Sequence, residues 1–395
     1  MSATAKSSSV VAFMLAASLA STIGGLPFNT LPVLLGSLAD SFHLPPAQVG
    51  LLGSICFAGY LLGTLGAPIW MNRLNWRWLT AVGAVGTALC FAASAMVQAL
   101  PLLYVSWACI GFFASTMTCL GMRVLADLPN KERAFGVRQG IELSVTAAVL
   151  FALPPLVIAK YHYAGAAWAL AALVLLLGLS AFGVPDGARH VVSSSAPTSA
   201  PLQDQPQRIP VAAWWALAVL WLFLVGNIGL WAFLERIGVQ LAVSATDMGV
   251  VFAVLKLLGS VAAFFVATVG ARWALSTTLT VCFLGLLVGL GLLASATGFG
   301  LYASGAWLWE FAFTCGCVLQ TAHIARTDPS DRAVVLVPGA FALASMLGPG
   351  VAGRLMGEQG VEPVLWFALI SSAVPVLNLL LFRKSVSNQA QPNGA

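Results

Sequence analysis

Two side chains of opposite charge, Lys256 and Glu310, each fall near the middle of a long apolar stretch. A charge at the centre of such a stretch costs about 2.5–3.5 kcal/mol where lipid surrounds it. It therefore faces inward and takes a partner, or it neutralises. An acid and a base at matching depth on neighbouring segments can act as a coupling pair, in which a ligand that engages one charge frees the other to exchange a proton. The alternative reading is a buried pair that only fixes packing.

Arg123 and Glu142 form a second candidate pair, with Arg138 four residues before Glu142 and so on its face of a helix. This cluster reads either as functional or as a structural latch. Asn227, Trp231 and Glu235 recur every four residues and make one stripe, and Asn29 lies at the depth of Asn227. Two asparagines at that depth can hydrogen-bond a polar substrate or bridge two helices. Trp107 and Trp307 offer flat faces for a ligand to stack on, or packing volume. His323 falls at the position equivalent to Arg123.

Several chemistries are excluded. No Gly-rich run ends in Gly-Lys-Ser or Gly-Lys-Thr, so the chain carries no nucleotide-driven motor of its own. No Ser-His-Asp set is visible, and none of the seven cysteines has zinc-ligand spacing. The cysteines read as small apolar packing residues. The expectation is a protein that is not an enzyme, needs no cofactor or metal and binds no nucleic acid.

The elements that must position these residues are membrane helices. Of 395 residues 59% are hydrophobic and 8% charged, whereas a water-exposed surface needs about 25% charge. Twelve runs are long enough to span lipid: 11–38, 47–70, 78–98, 101–126, 136–159, 164–184, 211–236, 246–269, 275–296, 299–325, 333–356 and 362–382. None alternates as a barrel strand does. Residues 185–210, rich in Ser, Pro and Gln, cannot bury a core and read as a linker between an N-terminal bundle (1–184) and a C-terminal bundle (211–395). With the N-terminus in the cytoplasm, twelve of the eighteen Lys and Arg residues face inward and three (Lys160, Arg236 and Arg354) outward. That asymmetry places both termini and the linker on the cytoplasmic side.

The two bundles echo each other. Asp127-Leu128-Pro129-Asn130-Lys131-Glu132-Arg133-Ala134 follows the fourth run, and Asp328-Pro329-Ser330-Asp331-Arg332-Ala333 follows the tenth. Trp107 with Trp307, Asn29 with Asn227 and Gly50 with Gly249 recur at a similar offset. Together these matches indicate a six-helix unit duplicated in parallel.

On these grounds the whole chain resembles the major facilitator superfamily. The loop Gly66-Ala67-Pro68-Ile69-Trp70-Met71-Asn72-Arg73 keeps basic residues of the superfamily's signature but has Asn72 where Asp is usual. The Gly-Pro pattern that drug antiporters carry on helix five is replaced by Ala152-Leu153-Pro154-Pro155. The resemblance implies a monomeric, all-α, twelve-helix (6+6) carrier of the inner membrane, with helices one, four, seven and ten around a central cavity. It further implies proton-coupled movement of a small polar or amphipathic molecule, anionic or zwitterionic given the cations Arg123 and Lys256. The compact form leans towards efflux; import of an organic acid is the alternative, and a channel or receptor is the alternative from another class.

Overall fold

A computed structural model describes the backbone of residues 3–71, 73–97, 99–128, 131–184, 186, 209–269, 275–328, 332–357 and 360–389. Among these residues there is no strand. The helices run α1 (Ala3–Asn29), α2 (Leu31–Phe42), α3 (Pro46–Met71), α4 (Trp76–Met96), α5 (Leu100–Ala126), α6 (Lys131–Ala152) and α7 (Ala159–Gly178). After the linker come α8 (Val211–Gln240), α9 (Ala245–Val269), α10 (Leu275–Ala294), α11 (Phe299–Thr327), the short α12 (Arg332–Val335), α13 (Val337–Met356) and α14 (Glu362–Gln389).

Nine described helices are long and apolar enough to cross a membrane. One of them, the run Arg133–Gly183, spans 51 residues and is kinked at His162, whose φ is 54° and ψ −152°. Ahead of the kink the chain widens into a π-helix over Leu153–Ile158. Pro154 and Pro155 lack the N–H that an α-helical turn needs, so the hydrogen-bond ladder slips by one residue there. The first apolar run is likewise two helices, because α1 stops at Asn29 and α2 restarts at Leu31-Pro32, with proline in the first turn where its missing N–H costs nothing.

The chain forms two compact units: Met1–Leu44 with Leu52–Pro206, and Pro45–Leu51 with Gln207–Ala395. Most of the expected linker (185 and 187–208) lies outside the described residues, as do Asn72, Pro129 and Pro329. Within the first unit α1 packs on α5, α4 on α7 and α1 on α6; within the second α8 packs on α13 and α14, α10 on α11 and α9 on α11. Glycines permit the closest crossings. A Cβ at Gly111 of α5 would stand 1.8 Å from the carbonyl oxygen of Cys56, so no other residue fits there.

The internal repeat extends from residue types to backbone. Helices α9, α10 and α11 begin 199 residues after α3, α4 and α5. His43 (φ 51°) and Ala242 (φ 53°), both left-handed, are separated by the same interval. In the repeated loop Ala134 and Ala333 are both fully buried. Asp328 there accepts the Ala333 N–H at 2.8 Å, the placement expected of an acid ahead of a helix.

Candidate functional site

In the second unit the deep charges lie on three helices. Lys256 of α9 is 6% exposed, Glu310 of α11 8% and Trp231 of α8 3%. Lys256 Nζ stands 3.8 Å from the centroid of the Trp231 ring, a contact worth about 2 kcal/mol once desolvated. Phe252, edge-on to Trp231 at 5.6 Å, fixes the plane of the indole. The Glu310 carboxylate lies against α9 within one turn of Lys256, since a Cβ at Gly259 would stand 2.9 Å from its Oε1. Thr314, one turn along α11, donates its hydroxyl to Glu310 Oε1 at 3.5 Å. The two expected partners thus share one buried neighbourhood, and the indole face is an addition that their sequence positions did not announce.

Asn227, one turn from Trp231, is bonded to other helices. Its side-chain oxygen accepts from Trp309 Nε1 at 2.9 Å, and its Nδ2 donates to Phe223 O at 2.9 Å and Ser372 Oγ at 3.0 Å. Trp309 stacks on Phe313, which stacks on Phe223. Asn227 therefore takes the interhelical role, joining α8, α11 and α14. Trp309, which the sequence reading passed over, fills the fully buried position, while the half-buried Trp307 donates to the carbonyl of Val251 at 3.0 Å.

In the first unit the expected partners are exchanged. Arg123 pairs with Asp127 at 2.7 Å, and Glu142 with Arg138 at 2.6 Å. Both pairs are one helical turn apart, the spacing that brings side chains over each other, and this local geometry wins over the cross-helix pairing of Arg123 with Glu142. Burial separates them: the Arg123 side chain is 49% exposed, whereas Arg138 and Glu142 are 15% and 10% exposed. Arg138 Nε donates to Ser21 Oγ at 2.7 Å, and Asn29 Nδ2 to Glu142 Oε1 at 3.4 Å. Tyr60 donates its hydroxyl to Thr118 Oγ1 at 2.9 Å. The Arg138–Glu142 pair ties α6 to α1.

Trp107 is 2% exposed and donates to Tyr163 OH at 3.0 Å; that hydroxyl bonds Ser94 at 2.8 Å. Its indole N–H is committed to α7 and, through Tyr163, to α4. Among the described residues no group of three or more His, Cys, Asp or Glu forms a metal site.

Among the described residues, apolar helices with a buried ion pair among them are what a multi-pass membrane protein presents. The family model described as the Major Facilitator Superfamily matches residues 14–328, and the chain belongs to that superfamily. Solved structures share the fold. The nucleoside transporter NupG superposes with a TM-score of 0.73 at 13% identity, covering 95% of this chain and 98% of that one. A D-xylose-proton symporter gives 0.73 at 12% identity over 93% and 96%. A bacterial homolog of the human lysosomal transporter Spinster, inward-facing and unoccupied, gives 0.67 at 15% over 95% and 96%. No curated protein matches the chain.

Proposed function

We propose that this protein is a proton-coupled secondary transporter that moves a small polar or amphipathic organic molecule, anionic or zwitterionic, by alternating access. The observation that carries the reading is the burial of Lys256 and Glu310 on α9 and α11, with the carboxylate lying against α9 within one turn of the lysine. Each charge would be costly alone in a low-dielectric interior. With no solute present they offset each other. An anionic group that engages Lys256 withdraws that support from Glu310, and a buried carboxylate without its cation favours taking a proton. Solute and proton then bind together through one lysine. The similarity to a D-xylose-proton symporter supports proton use by this fold.

The same reading comprises twelve membrane helices in two six-helix bundles, 1–184 and 211–395, joined by the 185–210 linker. In this reading a monomer sits in the inner membrane, and the inward excess of Lys and Arg supports cytoplasmic termini and linker. Purified protein in proteoliposomes tests the function. A panel of organic acids, zwitterions and neutral polar solutes is applied while internal pH is followed. One or more solutes should move protons, and the sign of the pH change assigns import or export. Solute flux indifferent to pH, or none across the panel, refutes the reading.

A further inference from the structure

The constant offset between the units allows position-by-position comparison of one helix crossing. Tyr60 of α3 and Gly111 of α5 correspond, 199 residues on, to Gly259 of α9 and Glu310 of α11. At this pair of positions each crossing has one glycine and one large side chain, on opposite helices. In the first unit the glycine of this pair is on α5, where a Cβ at Gly111 would meet the backbone of Cys56 and Tyr60, while Gly59 and Gly63 of α3 lie against the backbone of Ala108 and Phe112. In the second the glycine is on α9, and a Cβ at Gly259 would stand 2.9 Å from Glu310 Oε1, 3.8 Å from its Cδ and 3.6 Å from Thr314 Oγ1. At the pair equivalent to Tyr60 and Gly111 the small residue is Gly259 of α9, and the room beside it is taken by the Glu310 carboxylate.

We infer that Gly259 is a positioning residue for Glu310: the absence of its side chain makes the notch that sets where the carboxylate stands relative to Lys256 and Thr314. This deepens the proposed function and rests on it for the role of Glu310. A methyl group at Gly259 meets the carboxylate end of Glu310 first, at 2.9 Å, with Thr314 Oγ1 at ordinary contact distance, so the helix crossing survives while the carboxylate moves. Moving it changes its distance from Lys256, and with that its affinity for a proton. A glycine needed for backbone packing alone has no such consequence.

The test reads the carboxyl group directly, with no solute and no flux. Full-length protein in lipid is titrated by infrared difference spectroscopy over about pH 4–10, and the Glu310 band is identified by its loss in Glu310→Gln. Gly259→Ala should shift its midpoint by about one pH unit, a tenfold change in proton affinity. Glu310→Asp is one methylene shorter and withdraws from the notch. Adding Gly259→Ala to Glu310→Asp should therefore move the midpoint by less than about 0.3 unit, because the two substitutions act on one contact. A Gly259→Ala protein that fails to fold, with folding restored in the double variant, supports the same contact. An unchanged midpoint in Gly259→Ala, equal shifts in both backgrounds, failure of both proteins to fold, or no Glu310 band overturns the inference. If protons are not coupled to solute at all, the band shift persists while proteoliposome flux shows no pH dependence, so the two failures are distinct.

Discussion

The ammonium of Lys256 stands 3.8 Å from the ring centroid of Trp231. The lysine therefore has an aromatic neighbour on α8 as well as an acid on α11, and a solute that draws it off the indole must replace that contact. Trp231→Leu removes the π face together with part of the indole's volume, and should lower stability by about 2 kcal/mol or more; Trp231→Phe should recover part of the loss. Thermal unfolding of the purified protein measures both. Unfolding of Trp231→Leu at the wild-type temperature refutes the contribution.

Glu310→Gln mimics the protonated acid. It should retain exchange of solute across the membrane and lose accumulation driven by a pH gradient. Lys256→Ala leaves a buried acid without its cation, and breaking such a pair costs about 3–5 kcal/mol. The double variant Lys256→Ala/Glu310→Gln should thus be more stable than Lys256→Ala alone. Counterflow and thermal unfolding check the two statements. Full pH-driven accumulation by Glu310→Gln ends the coupling role of this acid.

The two arginines of the first unit should behave differently. Arg138→Ala abandons the buried Glu142 and should destabilise by about 3–5 kcal/mol. Arg123→Ala breaks a pair whose arginine is half exposed and should cost about 1 kcal/mol or less. Replacing Arg138 and Glu142 together with Met and Leu should restore most of the loss, because neither charge is then left alone. Equal effects of the two single substitutions would show that burial does not distinguish these pairs.

Orientation can be read by proteolysis. A protease site placed in 185–208 should be cut in inside-out vesicles and protected in intact spheroplasts, following the inward excess of Lys and Arg. Cleavage in spheroplasts reverses the topology.

Tyr163 accepts from Trp107 and bonds Ser94, joining α7, α5 and α4. Tyr163→Phe removes the hydroxyl and leaves the indole N–H without its buried partner. It should lower stability by about 1–3 kcal/mol, with little change in transport. Loss of solute binding at unchanged stability would instead give Trp107 the ligand role that its sequence position allowed.

The apolar runs and the duplicated loops at Asp127 and Asp328 made the helices and the superfamily legible in the sequence. Hydropathy and helical period are local properties, and each segment carries them without reference to any other. The burial of Lys256 and Glu310 was legible for the same reason, since a charge inside an apolar run has nowhere else to go. The pairing of Arg138 with Glu142 was also written locally, at one helical turn, and the choice of Arg123 overlooked how strongly that spacing favours contact. Tertiary structure alone decided the rest. Trp231 came to lie under Lys256, Trp309 rather than Trp307 reached Asn227, and Gly259 made room for Glu310. Each depends on the azimuth at which one helix meets another. That angle is set by the packing of many side chains on several helices at once, and no single stretch of sequence contains it.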